Sequence, residues 1–258
     1  MLGKLLKHEW IATSRRYLLF YVVLAAMTVL AAIIHAIPVD NILFNIGEFA
    51  FLTLYVISLI GVIFCSTGMA VVRFYKNMVS DEGYLTFTLP AKVGQLVFSK
   101  FLVAMCWQVL SVLLVTLSLI CVYVLGHIGW SELMKGVSFI FESADTLLPV
   151  FCFMILISMM YQMLLYYLSI AIGQLFHSHK ILAAVIAYCV LAFAFEIIMV
   201  VIMFGVCGVV GFEEVVVQMS TTKGMTVFYL ISTVWIAVMG AAEYFVICYL
   251  LKKKLNLN

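Results

Sequence analysis

Long apolar stretches alternate with short polar ones along the whole chain. The apolar stretches cover residues 17–37, 47–72, 98–125, 147–175, 181–206 and 227–251. A helix needs about 20 apolar residues to cross about 30 Å of hydrocarbon, and each stretch is long enough to do so. The longer stretches must tilt or extend past the bilayer. The pattern predicts an all-α membrane bundle of six transmembrane helices in a single domain over residues 1–258.

Composition supports a membrane protein, and charge gives its orientation. The chain is 67% hydrophobic and only 10% charged, which is more apolar surface than a soluble domain can bury. An even number of spans places both termini on one side. Of the 14 Lys and Arg residues, only Lys135 and Lys223 fall on the opposite side. The other twelve are Lys4, Lys7, Arg15, Arg16, Arg73, Lys76, Lys92, Lys100, Lys180, Lys252, Lys253 and Lys254. The positive-inside rule therefore predicts that both termini are cytoplasmic. Cations spread along one membrane face suit anionic lipid headgroups and do not indicate nucleic-acid binding.

The N-terminal segment 1–16 precedes the first span and carries its apolar side chains on one helical face. Leu2, Leu5, Leu6 and Trp10 form that face, which predicts a short interfacial helix with Trp10 at headgroup depth. The alternative is a basic flank that only sets the topology. The first apolar run is longer than the core of a signal peptide, so we expect an uncleaved span.

Two outer segments have unusual composition. The loop 126–146 mixes aromatic and acidic residues, which favours a short helix on the outer surface. Residues 205–224 are apolar yet contain Gly205, Gly208, Gly211 and the pair Glu213–Glu214. A re-entrant hairpin on the outer side, buried by protein, would satisfy both properties before the last helix.

The cytoplasmic segment 73–97 combines turn chemistry with large apolar side chains. Its central string DEGYLTFTLP runs from Asp81 to Pro90. The first residues, including Gly83, suit a turn or a helix cap, and the proline suits the start of the third span. Exposed large apolar groups beside fixed charges mark a docking surface, although these aromatics could instead lie on the membrane. The candidate docking residues are Asp81, Glu82, Gly83, Tyr84, Leu85, Phe87 and Pro90.

The string DEGYLTFTLP, followed by AKVGQLVFSK, resembles the cytoplasmic segment of bacterial ABC-2 type transporter permeases, particularly short Gram-positive ones. The resemblance covers the whole chain, from the basic start through six spans to the basic tail. It implies that residues 80–90 form a coupling helix that fits a cleft in a separate ATPase. It also implies that the N-terminal helix lies along the inner surface and that residues 205–224 form the outer re-entrant hairpin.

The resemblance further implies an ATP-driven exporter in the bacterial plasma membrane that moves an amphiphilic peptide, a lipid or a hydrophobic drug. The chain has no GxxxxGK[ST] phosphate loop, so ATP and magnesium belong to the partner ATPase and this chain is not an enzyme. Six spans are half of the usual twelve. We therefore expect a second permease chain, identical or related, and two ATPase subunits.

Two acidic residues fall within predicted spans. Glu196 lies near the middle of the fifth, and Glu243 in the inner part of the sixth. An ionised acid near the bilayer centre costs about 3 kcal/mol or more, so each should face protein or water, or stay protonated. Glu196 suits either a substrate path or a hydrogen bond between helices, and for Glu243 we favour the hydrogen bond. Further polar groups in the spans are expected to bond between helices, namely Gln108, Gln162, Tyr166 and Gln174.

Other function classes compete with transport. A membrane sensor or scaffold could use residues 80–90 to recruit a cytoplasmic partner and move nothing. An intramembrane protease of the CAAX type would need an arginine and histidines after Glu213–Glu214, and they are missing. No ring-forming charge pattern indicates a passive channel. The seven cysteines form no CxxC or Cys/His cluster, and His177 and His179 do not share a helix face, so neither a disulfide framework nor a metal site is indicated.

Overall fold

Long helices account for nearly all of the described chain. The structure, a computed structural model, describes residues 2–37, 41–79, 92–126, 131–132, 134–138, 147–176, 179–211, 213, 215, 217 and 221–253. The helices are α1 (Leu2–His35), α2 (Ile42–Met78), α3 (Val93–Gly126), α4 (Leu147–Gly173), α5 (Lys180–Val210) and α6 (Thr222–Lys253). All six are long and apolar enough to cross a membrane. The chain is therefore a multi-pass membrane protein, and the predicted helical bundle is confirmed.

The N-terminal segment differs from the prediction in one respect. Residues 2–16 are not a separate element but continue without a break into the first span as part of α1. The physical reason is a stripe of buried residues that crosses the expected boundary, formed by Glu9, Thr13 and Tyr17. These residues are spaced by four, so they lie on one face of one helix. Tertiary packing along that face favours helix continuation over a bend at the membrane surface.

Contacts group the chain into two compact units. The first unit consists of Met1–Val72 and Phe98–Ile140, and the second of Arg73–Val97 and Phe141–Asn258. The end of α2 and the start of α3 therefore belong with α4, α5 and α6. This assignment is functionally important, because these two helix ends flank the predicted coupling segment.

The first unit has an apolar core with hydroxyl groups inside it. Leu24, Ala31, Tyr55, Leu59 and Val115 belong to one buried cluster formed by α1, α2 and α3. Within this unit, the Ser118 hydroxyl lies 2.6 Å from the hydroxyls of both Thr28 and Tyr55. Hydrogen bonds between helices are effective in a bilayer, where polar groups have no water to bond.

In the second unit, α4 packs against both α5 and α6. Gly173 ends α4 at a point of very close approach to α5. A Cβ atom there would lie 2.7 Å from the Lys180 carbonyl oxygen and 2.8 Å from Ala184 Cβ. Only glycine fits this position without movement of the backbone. The close approach sets the start of α5 directly beside the end of α4.

Candidate functional site

The predicted coupling residues lie outside the described part of the chain. Residues 80–91 are not described, and they include Asp81, Glu82, Gly83, Tyr84, Leu85, Phe87 and Pro90. The role of these side chains therefore stays a prediction. The structure does describe the two flanks of this segment, residues 73–79 at the end of α2 and residues 92–97 at the start of α3.

The incoming flank is anchored by an aromatic stack. The rings of Phe74 and Tyr167 lie 3.9 Å apart at an interplanar angle of 8°. Both side chains are only about 1% exposed, and Met78 at the last turn of α2 is fully buried. Buried aromatic pairs are among the more strongly held contacts in a protein. The end of α2 therefore packs against the C-terminal half of α4.

The outgoing flank is anchored by a backbone hydrogen bond. The Tyr244 hydroxyl on α6 donates to the Gly94 carbonyl oxygen at 3.0 Å. A Cβ atom at position 94 would lie 3.2 Å from that hydroxyl, so glycine allows the close approach. Since both flanks are held, a force on residues 80–91 would be transmitted to α4 and α6 of the same unit.

A buried ion pair holds α3 to α1 just beyond the outgoing flank, in the first unit. Lys100 Nζ donates to Glu9 Oε1, and both residues are at least 92% buried. Nearby, the Trp107 indole nitrogen donates to Thr13 Oγ1 at 2.9 Å. The Trp107 ring also stacks on Tyr17 at 4.7 Å. The N-terminal half of α1 is thus fixed to the first half of α3 by charge, hydrogen bonding and ring stacking.

The two intramembrane acids differ in exposure. Glu243 on α6 is only 8% exposed, whereas Glu196 on α5 is exposed. The Oε2 atom of Glu243 is buried and has no hydrogen-bond partner among the described residues. The hydrogen bond between helices that we expected for Glu243 is therefore not made by this oxygen. The exposed position of Glu196 leaves both a pathway role and a contact with another chain open.

Tyr161 on α4 connects the two acids, and the sequence analysis did not identify it. Its ring lies 4.8 Å from the ring of Phe195 on α5, next to Glu196. A Cβ atom at Gly240, one turn before Glu243, would lie 3.9 Å from Tyr161 Cα. Tyr161 therefore contacts the segments of α5 and α6 that carry Glu196 and Glu243. We call Tyr161, Glu196 and Glu243 the carboxyl–tyrosine cluster.

Two predicted hydrogen bonds between helices are confirmed. In the second unit, Gln162 Nε2 donates to the Tyr188 hydroxyl at 2.9 Å. In the first unit, Gln108 Oε1 accepts a hydrogen bond from the Ser66 hydroxyl at 2.8 Å. Gln174 differs, because its buried Nε2 atom has no partner among the described residues. Gln174 directly follows the end of α4 at Gly173.

Glu213 and Glu214, the acids predicted on the outer side, fall at the edge of the described residues. Gly205 and Gly208 belong to α5, which continues to Val210, and α6 begins at Thr222. These two helices therefore include both ends of the predicted hairpin. Gly211 has a positive φ of 95°, which ends the helix. Glu213 is helical and exposed, and Glu214 lies outside the described residues. The re-entrant path of the remaining segment stays a prediction.

No metal site occurs in the part of the chain that the structure describes, where no three His, Cys, Asp or Glu residues come together. No family model, no curated protein and no solved structure matches this chain. The fold and the site geometry, together with the sequence pattern, therefore carry the functional argument.

Proposed function

We propose that this chain is the permease subunit of an ATP-driven exporter of the ABC-2 type. One observation carries the proposal beyond the sequence resemblance. The predicted cytoplasmic segment between the second and third spans is flanked by two contacts with membrane helices, the buried Phe74–Tyr167 stack and the partly buried Tyr244–Gly94 hydrogen bond. A segment held in this way can act as a lever, whereas a loosely attached loop would absorb the force applied to it.

The proposed mechanism assigns ATP hydrolysis to a separate ATPase. Binding of ATP and magnesium would close two ATPase copies, and each would displace residues 80–90 of one permease chain. Since the flanks of this segment pack against α4 and α6, these helices would move with it as rigid bodies. A second permease chain would complete the pathway. The twelve cytoplasmic cations would lie beside anionic headgroups of the bacterial plasma membrane.

The test is co-purification of an ATPase in mild detergent from the native host. The intact chain is compared with Tyr84→Ala/Phe87→Ala, in which two predicted contacts are removed. The matched control is Phe49→Ala/Phe64→Ala, because these two α2 side chains are each 74% exposed and are not predicted to contact the ATPase. We expect an ATPase with the intact chain and the control, and its loss with the first variant.

The competing function is a sensor or scaffold that recruits a cytoplasmic protein through residues 80–90. Two results would favour it over transport. The first is a bound partner that carries no ATPase activity, and the second is binding that ATP and magnesium do not alter. Absence of any ATPase under conditions that preserve the permease dimer would contradict the exporter.

A further inference from the structure

The three spans of the second unit carry acids but no cations in their membrane-spanning interior. No Lys or Arg occurs at residues 147–176, 181–211 or 224–251. Glu196 and Glu243 both lie in these ranges. A carboxyl group at membrane depth needs a counter-charge, water or a proton. Because the interior of these three spans supplies no cation, a cationic ligand is one group that can pair with the two acids there.

The buried acid has a vacant acceptor. Glu243 is 92% buried, since its exposed fraction is 8%, and its buried Oε2 atom has no hydrogen-bond partner in the part of the chain that the structure describes. A buried acceptor without a donor costs about 1–3 kcal/mol when neutral and more when ionised. Proteins tolerate this free-energy cost at sites that receive a ligand. A ligand that places a positive charge or a hydrogen-bond donor beside Oε2 would remove the cost.

Aromatic rings of α4 and α5 pack against one another in the second unit. Tyr161 contacts Phe195, which precedes Glu196, and lies beside Gly240, one turn before Glu243. Five residues further along α4, Tyr166 stacks on Tyr188 of α5 with ring centroids 5.1 Å apart. Carboxylates together with aromatic faces are the chemistry that proteins use to recognise ammonium and other organic cations. Anions would be repelled at this site.

Exposure indicates how a ligand would reach the site. Glu196 is exposed on α5, between Phe193 at 72% and Ile197 at 58% exposure. A ligand that approaches along this face must therefore be apolar enough to enter the bilayer. Its charged group would meet Glu196 first and Glu243 at the buried end.

We infer that the carboxyl–tyrosine cluster binds the cationic group of an amphiphilic ligand. This inference deepens the proposed function and rests on it for transport, because it names the chemistry of the cargo. Binding itself does not depend on an ATPase. A metal ion is a poorer occupant, since the described residues bring together too few hard ligands to hold one.

The experiment measures binding of tetraphenylphosphonium to the full chain in nanodiscs of a neutral phosphatidylcholine. Tetraphenylborate has the same size and the opposite charge, so it controls for partition into lipid. We expect saturable binding of the cation only. Glu243→Gln should raise the Kd about tenfold, the effect of about 1.4 kcal/mol for one lost charge contact. Glu196→Gln should raise the Kd by a smaller factor. Tyr161→Phe removes only the hydroxyl and should leave the ring contact with Phe195 in place.

The matched control is Glu132→Gln, the same chemical change at an exposed acid in the first unit. Glu243→Asp keeps the charge, so its Kd should lie closer to that of the intact chain than the Kd of Glu243→Gln does. If Glu243→Gln does not elute as a single species, Glu196→Gln replaces it. Equal binding of tetraphenylphosphonium and tetraphenylborate, or an unchanged Kd in the Glu→Gln variant, would overturn the inference. Cation binding without a co-purifying ATPase would support this site and count against the exporter. Co-purification of an ATPase without saturable cation binding would support the exporter and contradict this site.

Discussion

Removal of one partner of the Glu9–Lys100 ion pair should destabilise the chain more than removal of both. The pair joins α1 to α3, and the two residues are only 8% and 7% exposed. Lys100→Met leaves a carboxylate in a site that water does not reach. Loss of one partner of a buried ion pair costs about 3–5 kcal/mol, whereas replacing both partners is close to neutral.

The measurement is thermal unfolding of the detergent-solubilised chain in a double-mutant cycle. For a chain of this size, about 1 kcal/mol shifts the Tm by about 2–4 °C. Lys100→Met should therefore lower the Tm by about 6–20 °C, and Glu9→Gln/Lys100→Met should recover most of that loss.

An exposed ion pair supplies the control for this cycle. Lys135 lies 2.7 Å from Glu132, but its side chain is 72% exposed. Solvent screens such pairs, so Lys135→Met should change the free energy of unfolding by less than about 1 kcal/mol. The reasoning is wrong if Lys100→Met is no worse than Lys135→Met. It is also wrong if the double variant loses as much as the two single variants added together.

Three further substitutions test the packing by the same thermal measurement. Phe74→Ala removes the stack on Tyr167 and should cost about 3–5 kcal/mol, and a loss below about 1 kcal/mol would show that this flank is not anchored. Gly173→Ala should cost about 1–3 kcal/mol or more, because the new Cβ would meet the Lys180 carbonyl oxygen at 2.7 Å. Gly240→Ala is its control and should be tolerated, since its closest contact would be an ordinary 3.7 Å; equal effects of the two would contradict the packing. Ser118→Ala removes the shared hydroxyl partner of two buried groups and should cost about 1–3 kcal/mol, whereas an unchanged Tm would mean that those hydroxyls find other partners.

The candidate site was only partly predictable from the sequence. Glu196 and Glu243 stand out because charged residues are rare in apolar spans. Tyr161 does not stand out, because the chain contains 13 tyrosines and this one carries no distinctive motif. The sequence does contain one pattern that points to Tyr161. Tyr161 and Gln162 are adjacent polar-tipped residues in an apolar stretch, and both face other helices.

The sequence alone determined the number of membrane-spanning helices, their approximate ends except for the start of α1, and the distribution of charge. A span must satisfy its backbone hydrogen bonds within itself, so an apolar run of sufficient length becomes a helix whatever its neighbours are. The face that each helix buries was decided only by the tertiary structure. When nearly every side chain is apolar, periodicity does not distinguish the protein-facing side from the lipid-facing side. The contact between Glu9 and Lys100, 91 residues apart, and the difference in burial between Glu196 and Glu243 depend on how the helices pack.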